Sequence, residues 1–557
     1  MTTTTAASLE EKALPGATDH DHGHVTFALF APNKQTVHLI GDFNNWNPQA
    51  DPMHDRGAGF WVAQKHLDNG EHRYQFVVDG RTVICDPYAQ SVEHDDKLDA
   101  PPRAVIQAGR EQYPWEHDGW VRPAFRDLII YETHIGDFSP EGNLRGMISR
   151  LDYLRDLGVN CIELMPVYET APHDYWGYEP RFYLALRRSF GAWRDMCELV
   201  DQAHARGMAV LLDLVLAHTG MEHPFNQLYP YDQSPWYGQG LGEPNQFGLP
   251  MLDFTKQATN SFVRDVQSYW LRVFHVDGFR YDYLAGIGQG DGEKGLPYLI
   301  NIARSIRPDA YLAGEYIPEN PDAVNDSQLS GIWHTRCRLA LTTLLTGKNA
   351  EPYKAADFDQ TIRFIDPTVE QYRDGSFMIN YLECHDDPRG MDLFRQAGDS
   401  DDIARRKTAL AMTTLMTMPG EPMFYHGQEM GESSQKRMEP NPIHWDLLDT
   451  QGGRGLMSHL QALCRLRKER ASLRGGIFSF LYVWPNKRCV AFFRQHGEVD
   501  CVATLLNFSN DAHELEIPVP TGGKWKEFFS NEVLDIQENI KTRIEPLAAK
   551  IFLQGPT

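Results

Sequence analysis

At 557 residues the chain is too long for one hydrophobic core, and its length predicts three or four domains. Hydrophobic residues at 42% and charged residues at 23% are ordinary for globular proteins. A formal net charge of -23 repels phosphate backbones, which excludes nucleic acid as a natural partner.

Residues 1–22 read as a disordered leader ending in the histidine-rich DHDHGH, a solvated tail rather than a metal site. The opening MTTTTAASLEEKALPG has no basic region followed by an apolar stretch, so it does not read as a signal peptide. No later run reaches the length of a membrane span. The eight cysteines occur singly, several inside apolar runs (Cys161, Cys384, Cys501). That pattern predicts buried thiols in a reducing compartment, not disulfides or a zinc site, and hence a cytoplasmic protein that avoids membranes.

From residue 23 to 108 the pattern is short alternating runs: VTFALFAP, QTVHLIG, FWVAQKHL, HRYQFVVDG and RTVICDP. Gly, Asn, Asp and Pro separate them, which predicts a β-sandwich. A linker over 109–127 contains QYPWEHDGW.

Over 128–473 apolar strand-like runs alternate with amphipathic helical stretches. The strands are LIIYETHIG, NCIELMPV, MAVLLDLVLAH, VDGFRYDY, YLAGEY, a weak one near GIWHTR, FMINYLECHD and EPMFYHGQE. LRGMISRLDYLRDLG and WRDMCELVDQAHARG each read as a helix ending in glycine. SFVRDVQSYWLRVFH and IARRKTALAMTTLM carry apolar residues at three- and four-residue steps. Eight strands with intervening helices predict a closed (β/α)8 TIM barrel. A doubly wound open sheet is the rival, but no GxGxxG follows any strand. Residues 219–257, rich in Pro, Gly, Asn and Tyr, interrupt the rhythm as a lid or small insertion. Alternating runs return over 474–557 (VAFFRQ, CVATLLNF, HELEIPV, KWKEFF), which predicts a C-terminal antiparallel β domain and a multidomain whole.

In such a barrel, chemistry sits at the C-terminal ends of the strands. Asp213, Asp282, Glu315 and Asp386 fall at the third, fourth, fifth and seventh ends. Arg280 and Asp282 are two apart in a strand and share a face. A guanidinium there favours the ionised carboxylate and lowers its pKa, as a nucleophile requires. Glu315 on the next strand is the candidate for the complementary protonated acid. Two carboxyls flanking a bond are what glycoside hydrolysis needs, and a separation of about 5–5.5 Å marks the retaining route. Taken singly, R-x-D is more often a structural salt bridge, a Glu after Gly a helix-start residue, and His218 or His385 a wall residue. The coincidence of four acid-bearing strand ends, two with histidine alongside, outweighs those readings.

These segments resemble the α-amylase family of glycoside hydrolases from about Leu128 to Glu432. LLDLVLAHT, GFRYDY, LAGEY and NYLECHD are similar to the family's four signatures, with GLPMLDF and GEPMFYHGQEMG similar to two shorter ones. The resemblance implies Asp282 as nucleophile and Glu315 as general acid/base, with Asp386 holding sugar hydroxyls and distorting the ring. It implies that His218 and His385 hydrogen-bond the sugar, that Arg280 orients Asp282, that Asp213 supports that network, and that Tyr178 of DYWGYEP stacks on the sugar. Ala217 stands where members commonly carry an asparagine serving a structural calcium, which speaks against calcium there. The Cys-His-Asp order resembles isoamylase-like debranching members, and the DPRG after it resembles α-1,4-acting ones. GDFNNWNP, with Trp46, resembles the glycogen-binding modules of branching, debranching and trehalose-releasing enzymes; the alternative for Trp46 is a packed turn residue. The implied substrate is an α-glucan, with no cofactor required. Hydrolysis is the preferred expectation. Transfer to a sugar 6-hydroxyl, as in a glycogen branching enzyme, is the alternative. A non-catalytic glucan-binding protein is a third reading, against which the three acids argue.

Overall fold

A computed structural model describes residues 15–20, 23–94, 101–238, 245–288 and 294–555. Residues 1–14 and 21–22 of the expected leader, and 239–244 of the expected insertion, lie outside the described residues; the described part of the leader is not disordered, because Gly16–Asp19 pairs as a strand with His24–Phe30. The chain divides into two compact units. The first comprises residues 1–114, 167–193 and 218–269, and the second 115–166, 194–217 and 270–557.

The first unit contains two larger antiparallel sheets and a two-stranded one that pairs Tyr168–Thr170 with Pro180–Leu186. One orders Gly16–Asp19, His24–Phe30, Phe60–His66 and His54–Asp55. The other orders Asp51–Pro52, Val37–Gly41, Gly70–Val78, Arg103–Ala108 and Val92–Glu93, with Thr82–Ile84 added on Gly70–Val78. Phe27 and Tyr74 meet edge to face with centroids 4.8 Å apart, and both are buried. Within residues 218–269, Phe225 stacks on Trp236 at 3.6 Å, and the backbone pairs His218 with Met251 and Tyr237 with Leu252. The expected insertion is therefore an aromatic-cored, backbone-tied segment with short helical turns at Phe225–Leu228 and Tyr231–Gln233.

The second unit holds a closed barrel. Its parallel strands are β1 (Ile130–Thr133), β2 (Cys161–Leu164), β3 (Ala209–Leu214), β4 (Gly278–Tyr281), β5 (Tyr311–Gly314), β6 (Gly331–Trp333), β7 (Met378–Asn380) and β8 (Glu421–Tyr425). β8 pairs back to β1 through Ile130 and Met423, and this closure rules out the open-sheet alternative. The strand expected near GIWHTR is β6. Leu128, Cys161, Leu211, Ala313 and Met423 pack into one barrel cluster, all buried.

One helical expectation changes. LRGMISRLDYLRDLG forms two helices, Leu144–Ile148 and Leu151–Leu157, not one. The Ser149 hydroxyl donates to the Gly146 carbonyl at 2.7 Å, a side-chain bond that competes with the helical ladder. Gly158 ends the second helix in the left-handed region (φ 104), as its position in the sequence suggested.

The C-terminal part of this unit orders Ile477–Trp484, Cys489–His496, Asp500–Asn507, Ala548–Gln554, Gly523–Glu527 and Val533–Ile536 in one sheet, beside a ribbon of His513–Pro518 and Asn539–Ile544. Fully buried Trp525 sits in its core. None of the eight cysteines forms a disulfide, and all are buried. Burial pushes the thiols of Cys85, Cys161, Cys337, Cys384, Cys464, Cys489 and Cys501 up, to about 12 for Cys464 and Cys489. No helix among the described residues is long and apolar enough to cross a membrane.

Gly278 opens β4, the strand that carries Arg280. A Cβ there would lie 1.8 Å from the Tyr311 carbonyl oxygen on β5. Gly278→Ala is expected to destabilise the protein by roughly 1–3 kcal/mol by forcing these two strands apart, read as a lower urea midpoint with activity reduced in the surviving fold.

Candidate active site

Ladder register builds the centre. Asp213 on β3 lies opposite Arg280 on β4. Arg280 is fully buried, and its Nη1 donates to both Asp213 oxygens at 2.9 Å and to Asp282 Oδ1 at 3.0 Å. Its Nη2 is ion-paired with Glu315 Oε2 at 3.0 Å. One guanidinium thus gathers three carboxylates from three adjacent strand ends. Its flat face lies on the Trp333 ring of β6, Cζ 4.2 Å from the centroid.

The backbone fixes the two central acids. Asp282 N donates to the Leu214 carbonyl at 3.2 Å, and Glu315 N to the Tyr281 carbonyl at 3.0 Å. Tyr283 takes a left-handed conformation (φ 46), which lets its amide donate to Glu315 Oε2 at 3.3 Å. Glu315 is therefore held by its neighbour strand as well as its own.

The proton affinity of Asp282 departs from expectation. Arg280 was expected to keep this carboxyl ionised. Burial instead pushes it well above the ordinary carboxylate range; Arg280 pulls against this, while Glu315, Asp213 and Asp386 add to it. R-x-D supplies one charged neighbour, whereas the barrel adds three more acids and removes water. One cation among three buried carboxyls favours a proton held within the cluster.

Asp386 lies on the loop after β7, beside His385. The His385 ring has Nδ1 2.6 Å from Glu132 Oε1 and Nε2 3.3 Å from Asp386 Oδ2. Desolvation works against the charge on Asp386, but His385, then Lys436 and Arg280, outweigh it and hold the carboxyl below its usual range. Lys436 Nζ reaches Asp386 Oδ1 at 3.7 Å and donates to its backbone carbonyl. Half of the Asp386 side chain is exposed, so it can meet a ligand.

Tyr178 and His218 lie in the first unit, where His218 Nε2 bonds the Tyr178 carbonyl at 2.9 Å. Burial pushes His218 below its ordinary value. Trp46 is half-buried, with the Arg103 guanidinium 4.8 Å over its ring and its amide donating to the Gly41 carbonyl at 2.9 Å.

Three contacting residues escaped the sequence reading: Glu132, Trp333 and Lys436. Glu132 carried the same signal as the recognised acids, a carboxylate near the end of an apolar strand (LIIYETHIG), but on a strand no signature drew attention to. Trp333 stood in the weak strand near GIWHTR.

Among the described residues, Glu116, His117 and Asp201 form one grouping that could hold a cation, and Glu319, His334 and Glu370 another. In the second, the Arg336 guanidinium already sits 3.0 Å from Glu370. Neither grouping includes a residue marked in the sequence.

The family described as "Alpha amylase, catalytic domain" matches residues 107–240 and 244–451, and "Carbohydrate-binding module 48 (Isoamylase N-terminal domain)" matches residues 15–89. The chain is similar to the 1,4-alpha-glucan branching enzyme GlgB of Nocardia farcinica, 26% identical over 561 residues, covering 92% of this chain and 73% of that protein. It is similar to the malto-oligosyltrehalose trehalohydrolase of Saccharolobus solfataricus, 26% identical over 444 residues, covering 74% and 75%. The Group B Streptococcus pullulanase SAP shares the fold with a TM-score of 0.81 at 18% identity, covering 98% of this chain and 88% of that one. With an eight-stranded barrel, acids gathered at its strand ends and a catalytic-domain match over more than half its length, the chain belongs to the α-amylase family.

Proposed function

We propose that the chain is a retaining glycoside hydrolase acting on α-glucans. The observation that carries this is the single Arg280 guanidinium binding Asp213, Asp282 and Glu315 at three neighbouring strand ends. An Asp282 oxygen attacks the anomeric carbon as the bond to the departing oxygen breaks, and Glu315 gives that oxygen its proton. Glu315, now ionised, takes a proton from water, whose oxygen attacks the same carbon and releases Asp282. Arg280 orients Asp282, Asp213 braces Arg280, and Asp386 with His385 binds sugar hydroxyls. Tyr178 and His218 are proposed to bind sugar as well.

The substrate class is supported by the glucan-acting relatives and by the carbohydrate-binding module family matched at the N-terminus, where Trp46 is the proposed contact. Buried thiols without disulfides support a reducing, cytoplasmic setting. The accompanying domain limits are 23–108, 109–127, 128–473 and 474–557.

A second reading is branching: a sugar 6-hydroxyl replaces water as acceptor, favoured by a branching enzyme that covers 92% of the chain. Incubation with amylose, amylopectin and pullulan separates the two. Hydrolysis is expected to remove iodine colour while creating reducing ends. Loss of colour without reducing ends, but with new α-1,6 links, establishes branching. No change in any glucan leaves only a binding protein.

A further inference from the structure

Glu132, next to last in β1, is buried, 1% exposed. Its Oε1 lies 2.6 Å from His385 Nδ1, and its Oε2 makes no hydrogen bond. The other ring nitrogen faces Asp386 at 3.3 Å. A neutral imidazole carries one N–H and one lone pair. With a carboxylate at each nitrogen, the neutral ring would turn its lone pair toward a negative oxygen. Protonation at both nitrogens removes that conflict and satisfies both acids.

We propose that Glu132 is a positioning residue that holds His385 as a doubly protonated ring, its Nε2–H directed at Asp386 and at the sugar hydroxyls bound there. This deepens the reading above and rests on it. The surroundings fit. The charged and titratable groups around the pair are Glu163 on β2, Asp213 on β3, Arg280 and Asp282 after it on β4, Tyr425 and His426 at β8, and Asp386 with Lys436. Burial works against the charge on His385, but Asp386 and then Glu132 outweigh it and raise the ring well above its ordinary value. Burial also pushes Glu132 up, and His385 chiefly opposes this. A purely structural strand end would be served more cheaply by an apolar side chain, since a buried ion pair seldom adds net stability. The ring also meets Trp333 edge-on, centroids 6.0 Å apart, and Trp333 carries Arg280. Strand β1 is thereby joined through β7 and β6 to the nucleophile's guanidinium.

Glu132→Gln keeps the shape and an acceptor oxygen for Nδ1–H but removes the charge. The alkaline limb of kcat/KM is expected to move down by about one pH unit or more, tenfold in the proton affinity of the ring, with activity at acid pH close to wild type. A merely structural role would lower activity equally at every pH. Nitrogen-15 NMR of labelled histidines, with His385 assigned by loss of its signal in His385→Gln, is expected to show both nitrogens protonated at pH 7 in the wild type and one in Glu132→Gln. An unshifted limb in folded Glu132→Gln, or a singly protonated His385 in the wild type, overturns the proposal. The wild-type spectrum decides the matter if the variant does not fold. Asp282→Asn and His385→Gln distinguish the two levels. If both leave α-glucan cleavage intact, the reading of the site fails; if both abolish it while Glu132→Gln matches wild type at every pH, only the role of Glu132 fails.

Discussion

Asp282→Asn is expected to lower kcat on maltoheptaose by about 10³-fold or more while leaving the fold intact, because an amide cannot form the glycosyl ester. The substitution keeps the size of the side chain and removes a buried carboxyl that burial and three nearby acids already push well above its ordinary range, so stability should not suffer. Glu315→Gln is expected to cost about 10²–10⁴-fold, the usual yield of a positioned acid. The two losses differ in kind. With an aryl glycoside whose leaving group departs unprotonated, Glu315→Gln should form the glycosyl-enzyme readily and release it slowly, giving a burst of aryl product. Asp282→Asn should give none. Rapid-quench product measurement with both variants checks this. A folded Asp282→Asn enzyme with wild-type turnover would remove Asp282 as nucleophile.

Arg280→Ala carries the largest expected cost in stability. It leaves Asp213, Asp282 and Glu315 buried without their shared cation and strips the guanidinium from Trp333. Breaking a buried pair on one side typically costs about 3–5 kcal/mol. The loss depends on pH, with a definite sign. Asp282 binds its proton more tightly in the folded chain than in the unfolded one, so its contribution favours folding at low pH. That contribution declines as pH climbs from about 3.9, the unfolded value, toward the raised folded one. Removing Arg280 raises the folded value further, so the variant should lose more stability at pH 8 than at pH 5. Urea unfolding at both pH values measures this. Adding Asp213→Asn should restore part of the loss, since the two sites share one interaction. Equal midpoints for Arg280→Ala and wild type at pH 8 would mean the guanidinium does not balance the cluster.

The barrel was legible because each strand is a short apolar run whose chain neighbours are also its spatial neighbours. Even three-residue β6 showed through GIWHTR. The meeting of Asp213, Arg280, Asp282 and Glu315 followed once strand order was assumed, since parallel register sets adjacent ends side by side. What depends on distant partners was not legible. Glu132 and His385 are 253 positions apart, and nothing local links them. The raised proton affinity of Asp282 depends on how many acids share one dry pocket, a sum over four strands that a dipeptide pattern does not contain. The broken helix at Ser149 shows the opposite limit: a local hydroxyl contact overrides a helical period that the apolar residues support.

The eight buried thiols have a practical consequence. Each is shielded from solvent, and those with raised pKa values carry almost no thiolate near neutrality. Native molecules should therefore resist alkylation, and any label incorporated counts molecules that have opened. Cys384 adjoins His385 in sequence, whereas Cys501 lies in the C-terminal sheet. Mapping which thiol reacts first would time the loosening of the loop after β7 against that of the C-terminal sheet, with no probe introduced.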